Sequence, residues 1–574
     1  MTEIGVVGLD RVFQVDSSGG LGILGKSVTV DWWVGADDRW HMASQEIAVR
    51  QSADEANIMA ETRLRVPGGD VVGTVFAVPH GAETIAVMEV ENQTPVPVAL
   101  AIVLSVDGRL MPEGDAILVN GQPVFRAGRS IARAAVSADT SSLLATVETG
   151  QAIPPAELQP VDGRNLVAAI FPLPHTAKIS AVMSIDPVES LPPPSEVPTA
   201  EAVARGWGSH TGGGARLEVA DQLVGRAVDS ARRHLLVGAF SEAGAPFWTE
   251  GVEPITMPLA AVALEMWGHP REAHELLISA VGSDDLARHA RRGPAETGAL
   301  LWCMAETLER RSEPELEAAL VPWVQEAAVG LMSWRRKERS VEDDAWRAVG
   351  LASAASLLTR ATDAVYGQDF VDALPELLSE LSPQESALAM VLAGRRLNEP
   401  SSISPIEWLA TRLDLDDKSL AGVLAHASPT GAIVLSGRLQ HPLASALLLI
   451  SVRTAAVDEP QGAGGVVALL PRPEQAWLGA PIEGHDIPVS SGVVSFAVRW
   501  HGTRPALLWD LQAGQDQPLP PVTSPALDPD WRDERPRAEA LLAESPDVEL
   551  MERPHRGSGP GRRLDATDDP QSFD

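Results

Sequence analysis

The chain has 574 residues, enough for several domains with cores of their own. Hydrophobic residues make up 45% and charged residues 21%, the balance of a folded, water-facing protein. The formal net charge of −33 is the opposite of the basic surface that phosphate backbones require, and it disfavours docking on an anionic membrane, so neither nucleic acid nor membrane is expected as a partner.

Residues 1–185 read as an N-terminal β-sandwich. Short apolar runs at 27–34, 71–78, 83–90, 96–106 and 166–171 are broken by Gly, Asp, Asn and Pro. Alternation is visible through 84–91, and Asn92, Gln93, Thr94 and Pro95 then form a turn. Many short strands separated by turns fit a sandwich. Residues 186–214 read as a Pro/Gly linker, because Pro192, Pro193 and Pro194 propagate neither a helix nor a sheet interior, and Gly212, Gly213 and Gly214 close the stretch.

The period then changes from 2 to about 3.6. Ala220, Leu223, Val224, Ala227, Val228, Ala231 and Leu235 fall on one helical face. Similar stripes recur near 254–268, 271–282, 295–311, 314–335, 343–363, 368–381, 384–396, 404–412, 418–426 and 441–456. The short connections imply antiparallel hairpins across 215–457, and no fixed repeat supports a solenoid. The single cysteine, Cys303, lies in an apolar helical pattern and reads as core; it excludes an intrachain disulfide and zinc sites built on several cysteines.

The β pattern returns in a small C-terminal module at 458–514, where 494–500 alternates cleanly. Residues 515–574 read as a polar, largely disordered acidic tail with one short helix near 537–544. The first residues lack a basic n-region followed by an apolar stretch, and the longest apolar runs fall short of the ~20 residues that span a bilayer, so a cytoplasmic location is expected. High Ala, Gly, Arg and Asp with few Lys fit a GC-rich bacterial source.

Several segments are similar to the six-hairpin glycosidase superfamily, which includes glucoamylase-like and debranching-type glycoside hydrolases. Val90-Glu91-Asn92 followed by Thr94-Pro95-Val96-Pro97-Val98 resembles the strand-turn-strand of its N-terminal sandwich. Phe247-Trp248-Thr249-Glu250, then Met257, Ala263-Leu264, Gly268 and Glu272-Ala273, resembles the segment leading into the second toroid helix. Glu296-Thr297-Gly298-Ala299-Leu300-Leu301-Trp302 resembles the start of the fourth helix, and Glu342-Asp343-Asp344-Ala345-Trp346 the start of the sixth. The resemblance covers most of 60–510. It implies a multidomain α and β protein with a central (α/α)6 toroid of helical hairpins between the two β units. It also implies a carbohydrate ligand, an α-linked glucan or oligosaccharide, cleaved by paired carboxylates without a cofactor. The chain departs from the family pattern in two places: Thr249-Glu250 stands where Arg-Asp is usual, and Gly330-Leu331-Met332-Ser333 lacks the acid of Gly-Leu-Trp-Glu. Two readings therefore stand: a glycoside hydrolase, or a non-catalytic binder or scaffold on the same fold.

Glycoside hydrolysis uses one carboxyl to protonate the leaving oxygen and another to activate water or attack. Glu250 and Glu253, Glu296, and Glu342, Asp343 and Asp344 precede or begin alternate helices, so they converge on one mouth if those helices form an inner ring. Asp344 or Glu296 is the first expectation for acid/base work, with Asp343 beside them and Glu250 and Glu253 shaping the subsite. Adjacent helical residues point about 100° apart, so Asp343 and Asp344 do not both face the cavity. The plain alternative is that these acids cap helix amides. Trp248, Trp302, Trp334 and Trp346 are candidate sugar platforms; the alternative for each is core packing. Asp414, Asp416 and Asp417 match an acidic terpene-cyclase motif but read better as a helix cap, and His210 with Gly212–Gly214 reads as linker rather than an esterase oxyanion loop. No metal is expected.

Overall fold

The computed structural model describes residues 2–9, 12–22, 29–53, 59–81, 83–184, 187–237, 253–281, 293–310, 314–334, 340–360, 364–380, 387–398, 401–428, 431–435, 441–459, 465–514 and 519–545. It is a mixed α and β protein whose sheets are almost entirely antiparallel.

Two eight-stranded sheets stack at the N-terminal end. In the first, Val98–Asp107 is central and pairs with Thr29–Gly35 on one side and Arg164–Leu173 on the other. In the second, Glu83–Asn92 lies between Gly69–His80 and Lys178–Met183. Trp32, Leu64, Val75, Met88, Leu100, Phe125 and Phe171 fill the space between them. The outer faces are also covered. The helix Thr140–Glu148, which the sequence pattern did not reveal, seats Leu143 and Val147 on Trp33 and Ala168. Leu191 and Val203 cover Phe76, Val78 and Ile85 of the second sheet. Burial on both faces is why 85–88 is buried without alternation.

The 92–98 segment is not a hairpin: it carries the chain from one sheet to the other. Asn92 holds the crossing. Its amide nitrogen donates to the carbonyls of Val96 (2.8 Å) and Leu173 (3.0 Å), and its Oδ1 accepts from the Thr94 amide (2.9 Å). Leu173 belongs to the opposite sheet, so one buried side chain ties the two layers together.

The expected linker is largely structured. Thr199 caps a helix at Ala200–Gly212, which buries Trp207. Arg216–Glu218 then pairs with Ile482–Val489, far along the chain, which no local pattern signals.

The helical block follows. Helices Thr256–Met266, Pro294–Arg310, Val341–Arg360 and Pro442–Ala456 are buried around most of their circumference. The helices between them are one-sided; Pro314–Ser333 buries Val324, Ala328 and Leu331 at helical spacing. Pro294–Arg310 and Val341–Arg360 run parallel. Near their starts Gly298 faces Trp346 and Gly350. Near their ends Arg360 donates to the Leu308 carbonyl (2.8 Å) and Ser356 to Glu309 (3.1 Å). Only glycine allows this approach, since a Cβ at position 298 would lie 2.0 Å from the Trp346 carbonyl oxygen. No helix among the described residues is long and apolar enough to cross a membrane.

At the C-terminal end one sheet has the order Arg216–Glu218, Ile482–Val489, Gly492–His501, Arg504–Ala513, Arg537–Leu541. A second holds Val457–Asp458, Val467–Leu469, Val522–Ser524 and Asp528–Asp533. Two expectations are corrected here. Residues 537–541 form a strand rather than a helix, because they pair with 506–510. The presumed tail supplies three strands between 522 and 541, and of its residues 515–518 and 546–574 lie outside the described ones. Phe496, Val498, Leu507 and Trp509 share one continuous core with the helices, whereas the interior of the sandwich is separate.

Candidate functional site

The starts of the helices carry the acids singled out in the sequence. Ser340 caps Val341–Arg360: its Oγ accepts from the Asp343 amide at 3.0 Å and its carbonyl from the Asp344 amide at 3.1 Å. The three acids of that first turn are then set at about 100° intervals. Glu342 is turned toward the short helix Leu388–Ala393. Its Oε2 accepts from the Leu388 amide at 3.0 Å and its Oε1 from the Ala389 amide at 3.2 Å. Burial pushes the Glu342 carboxyl above its usual range; the two amides oppose this in part, and the nearby charge of Glu253 adds to it.

Glu253 stands before Thr256–Met266, and Arg412 closes on it at 2.5 Å. Arg412 in turn lies over the Trp408 ring, 5.7 Å from its centroid. Thus the charge of Glu253 reaches Glu342, 89 sequence positions further on, as a minor contribution beside burial. Glu296, Asp343 and Asp344 are half-buried in the first turns of their helices. Glu250 and Trp248 lie outside the described residues.

Two of the four expected platforms are corrected. Trp302 and Trp346 are fully buried against each other, with ring centroids 5.8 Å apart, and present no face to a sugar. They lie where the parallel helices touch, and the Gly298 approach encloses them. Trp334 is half-buried, so its surface is partly open. Cys303 is buried in the helical core, as its pattern predicted, and burial drives its thiol far above the usual range.

Two contributors were not legible beforehand. Glu342 was recognised as one of the acids but not assigned chemistry, because its orientation depends on a helix 46 positions further on. Arg412 ends the helix Pro405–Arg412, where a basic residue reads as ordinary pairing with the helix dipole.

A second polar cluster joins the helix Ala200–Gly212 to the block. The His210 and His269 rings stack with centroids 5.7 Å apart, and His210 Nε2 is 3.3 Å from Glu272. Arg232 donates to His269 Nε2 at 3.0 Å, to the Thr211 carbonyl at 2.5 Å and to the Ala215 carbonyl at 3.1 Å. A guanidinium has no acceptor, so the Nε2 lone pair of His269 is taken and the proton of the neutral ring sits on Nδ1. Burial and the Arg232 charge hold this imidazole at about 3. Although the three potential ligand atoms lie within 4.8 Å of one another, the guanidinium does not fit a metal centre, and the cluster acts as a clamp. Gly214 belongs to it by packing, since a Cβ there would lie 2.5 Å from the Trp267 carbonyl oxygen; no oxyanion loop is built. The Asp417 side chain accepts from the Ser419 amide at 3.0 Å in an exposed turn, and Ser419 rather than an aspartate caps the helix Leu420–Ala425.

No family model matches the chain, and no curated protein matches it. Among solved structures, a bacterial glucoamylase complexed with acarbose is 10% identical, with a TM-score of 0.45, covering 65% of this chain and 66% of that one. A family GH78 rhamnosidase from Bacillus sp. GL1 is 11% identical, with a TM-score of 0.40 over 80% of this chain and 55% of that one. A family GH92 inverting mannosidase from Bacteroides thetaiotaomicron is 11% identical, with a TM-score of 0.42 over 67% and 62%. The chain thus spans between 55% and 66% of the length of these proteins. Likeness at this level assigns no residue a role.

Proposed function

We propose that the chain is a glycoside hydrolase-like protein whose helical block is an (α/α)6 toroid. It takes an α-linked glucan or oligosaccharide at the mouth that Glu253, Glu342 and Arg412 define. The observation that supports this is electrostatic: the charge of Glu253, just before Thr256–Met266, reaches the buried carboxyl of Glu342 at the start of Val341–Arg360, and Arg412 pairs with Glu253. Glu342, held toward its protonated form by burial, suits the proton donor, and Glu253, paired with Arg412, is the second carboxyl of the site. Glu342 and Asp344 are two positions apart on one helix and point about 200° apart, so the pair spans two helices rather than one turn. This moves the first choice of acid/base residue from Asp344 and Glu296 to Glu342 and Glu253.

The test is sugar release from a panel of α-linked glucans and oligosaccharides. Glu342→Gln and Glu253→Gln should each lower kcat on the order of 10²–10⁴-fold. Asp344→Asn should have a much smaller effect. Full activity in Glu342→Gln would sink the assignment.

One observation favours the non-catalytic reading. Both oxygens of Glu342 already accept backbone amides, as a structural cap would. In that case an oligosaccharide raises the melting temperature saturably without any release of sugar, and Glu342→Gln lowers stability more than it lowers binding.

A further inference from the structure

The far end of the same helices holds a cavity of a different kind, lined by five arginines in a chain of net charge −33. Its volume is about 90 Å³, whereas a single water needs roughly 10–15 Å³ on this measure. At the deep end Arg396 forks onto Glu306 and Glu309 (2.7 and 2.8 Å), and Arg310 pairs with Glu306 at 2.9 Å. These charges are matched. Burial alone would raise the Glu306 carboxyl, but the two guanidinia outweigh it and hold the group at about 2. Arg453 is likewise engaged, with the carbonyls of Val457 and Pro488 at 2.5 Å each.

The open end is not matched. Arg395 and Arg472 converge on a single carboxylate oxygen, Oδ2 of Asp458, with Arg472 at 3.2 Å. Their side chains are 37% and 49% exposed, and the bonds to Asp458 are their only ones among the described residues. A guanidinium has five N–H donors in a planar fork, so most of the donor capacity of both is unused. Counter-charge to helix C-termini accounts for Arg310 and Arg453. It does not account for Arg472, which comes from the loop after Val467–Leu469. Arg472 and Thr454 also line a second cavity, of about 460 Å³, whose polar lining includes the serines Ser402, Ser404 and Ser419, the carboxylates Glu407 and Glu474, and Lys418. The two cavities therefore share a wall.

We infer that Arg395 and Arg472 form an oxyanion site for a phosphate monoester, whose polyhydroxylated remainder lies in the adjoining polar cavity, where hydroxyls and carboxylates can bond its hydroxyls. Two guanidinia share one carboxylate, which leaves one positive charge to be met. A tetrahedral oxyanion bridging both forks meets it with charge-assisted, bidentate hydrogen bonds. The site lies at the opposite end of the helices from the mouth and does not depend on the carbohydrate reading.

The experiment is titration calorimetry of the full chain with inorganic phosphate and with a hexose 6-phosphate, at matched ionic strength in chloride, with the free hexose as a third arm. Saturable binding of the phosphates is expected. It should weaken at least 10-fold in Arg472→Gln and in Arg395→Gln, and be unchanged in Arg499→Gln, an exposed ion pair elsewhere. Tighter binding of the hexose phosphate identifies the monoester as the ligand; equal affinity identifies free phosphate and removes the role of the second cavity. Asp458→Asn supplies the opposite sign: with the competing carboxylate neutralised, phosphate should bind more tightly. No saturable heat from either phosphate, or unchanged binding in the two arginine variants, overturns the site.

Discussion

Replacing Gly298 by alanine isolates the contact on which the helical block turns. Alanine is the better helix former, by about 1 kcal/mol, so an isolated helix would gain from the change. In the folded chain the new Cβ would lie 2.0 Å from the carbonyl oxygen of Trp346 and 2.6 Å from its carbon, both backbone atoms. Ordinary contact begins at 3.4 Å, so Pro294–Arg310 and Val341–Arg360 would have to separate by about 1.4 Å. No side-chain rotamer relieves this. Overpacking of buried sites costs about 1–3 kcal/mol where side chains can shift, and a clash between two backbones belongs at the upper end or beyond. After the propensity gain, Gly298→Ala should destabilise the helical block by about 2 kcal/mol or more. Gly330→Ala is the control: it sits in a helix, and its Cβ would meet nothing within 4 Å, so it should stabilise by up to about 1 kcal/mol. Urea unfolding followed by helical circular dichroism and by Trp fluorescence reads both, because Trp302 and Trp346 report the same contact. If Gly298→Ala melts with the wild type, or is stabilised like Gly330→Ala, the parallel close packing described here is wrong.

Other outcomes follow from the same geometry. Asn92→Ala removes three hydrogen bonds of a buried residue and leaves the Thr94 amide and two carbonyls without it; a loss of about 3 kcal/mol is expected in the unfolding of the sandwich, and a loss under 1 kcal/mol would refute the role of the tie. His269 stays neutral down to about pH 3, while the unfolded chain takes up this proton near 6.5. Its contribution is therefore full above pH 6.5 and is lost as the pH falls toward 3, by about 2 kcal/mol at pH 5. His269→Gln should flatten that part of the stability profile measured by denaturant midpoints; equal slopes in the two proteins would rule it out. Glu306, held at about 2, adds a second acid-labile term in a lower window: its contribution is present above the usual carboxylate range and is lost as the pH falls from about 4.5 toward 2. Glu306→Gln should remove that lower limb alone.

Much of the architecture was legible in local patterns because period and turn chemistry are local. The stripe from Ala220 to Leu235 became the helix Gln222–Leu236, which begins after Ala220 and leaves Leu223 exposed, and the runs near 71–78 and 166–171 became Gly69–His80 and Arg164–Leu173. Failures came where partners are distant. Residues 537–541 have helical composition but pair with 506–510, and 216–218 pairs with a strand more than 260 positions away. Trp302 and Trp346 looked like platforms because they follow acids, yet two glycines bring their helices close enough to bury them.

The site divides in the same way. That acids stand at the starts of alternate helices could be read from the chain alone, since a carboxylate at a helix start is a local feature of spacing and capping. Which acids meet was decided only in three dimensions. Glu342 is turned to the Leu388 and Ala389 amides, and Glu253 is closed upon by Arg412; the burial that raises one carboxyl and the charge that pairs with the other come from residues remote in sequence. The surplus positive charge at the opposite end is likewise invisible along the chain, because Arg395, Asp458 and Arg472 are distributed over 78 positions and become one group only when the helices and the C-terminal strands close on a shared core.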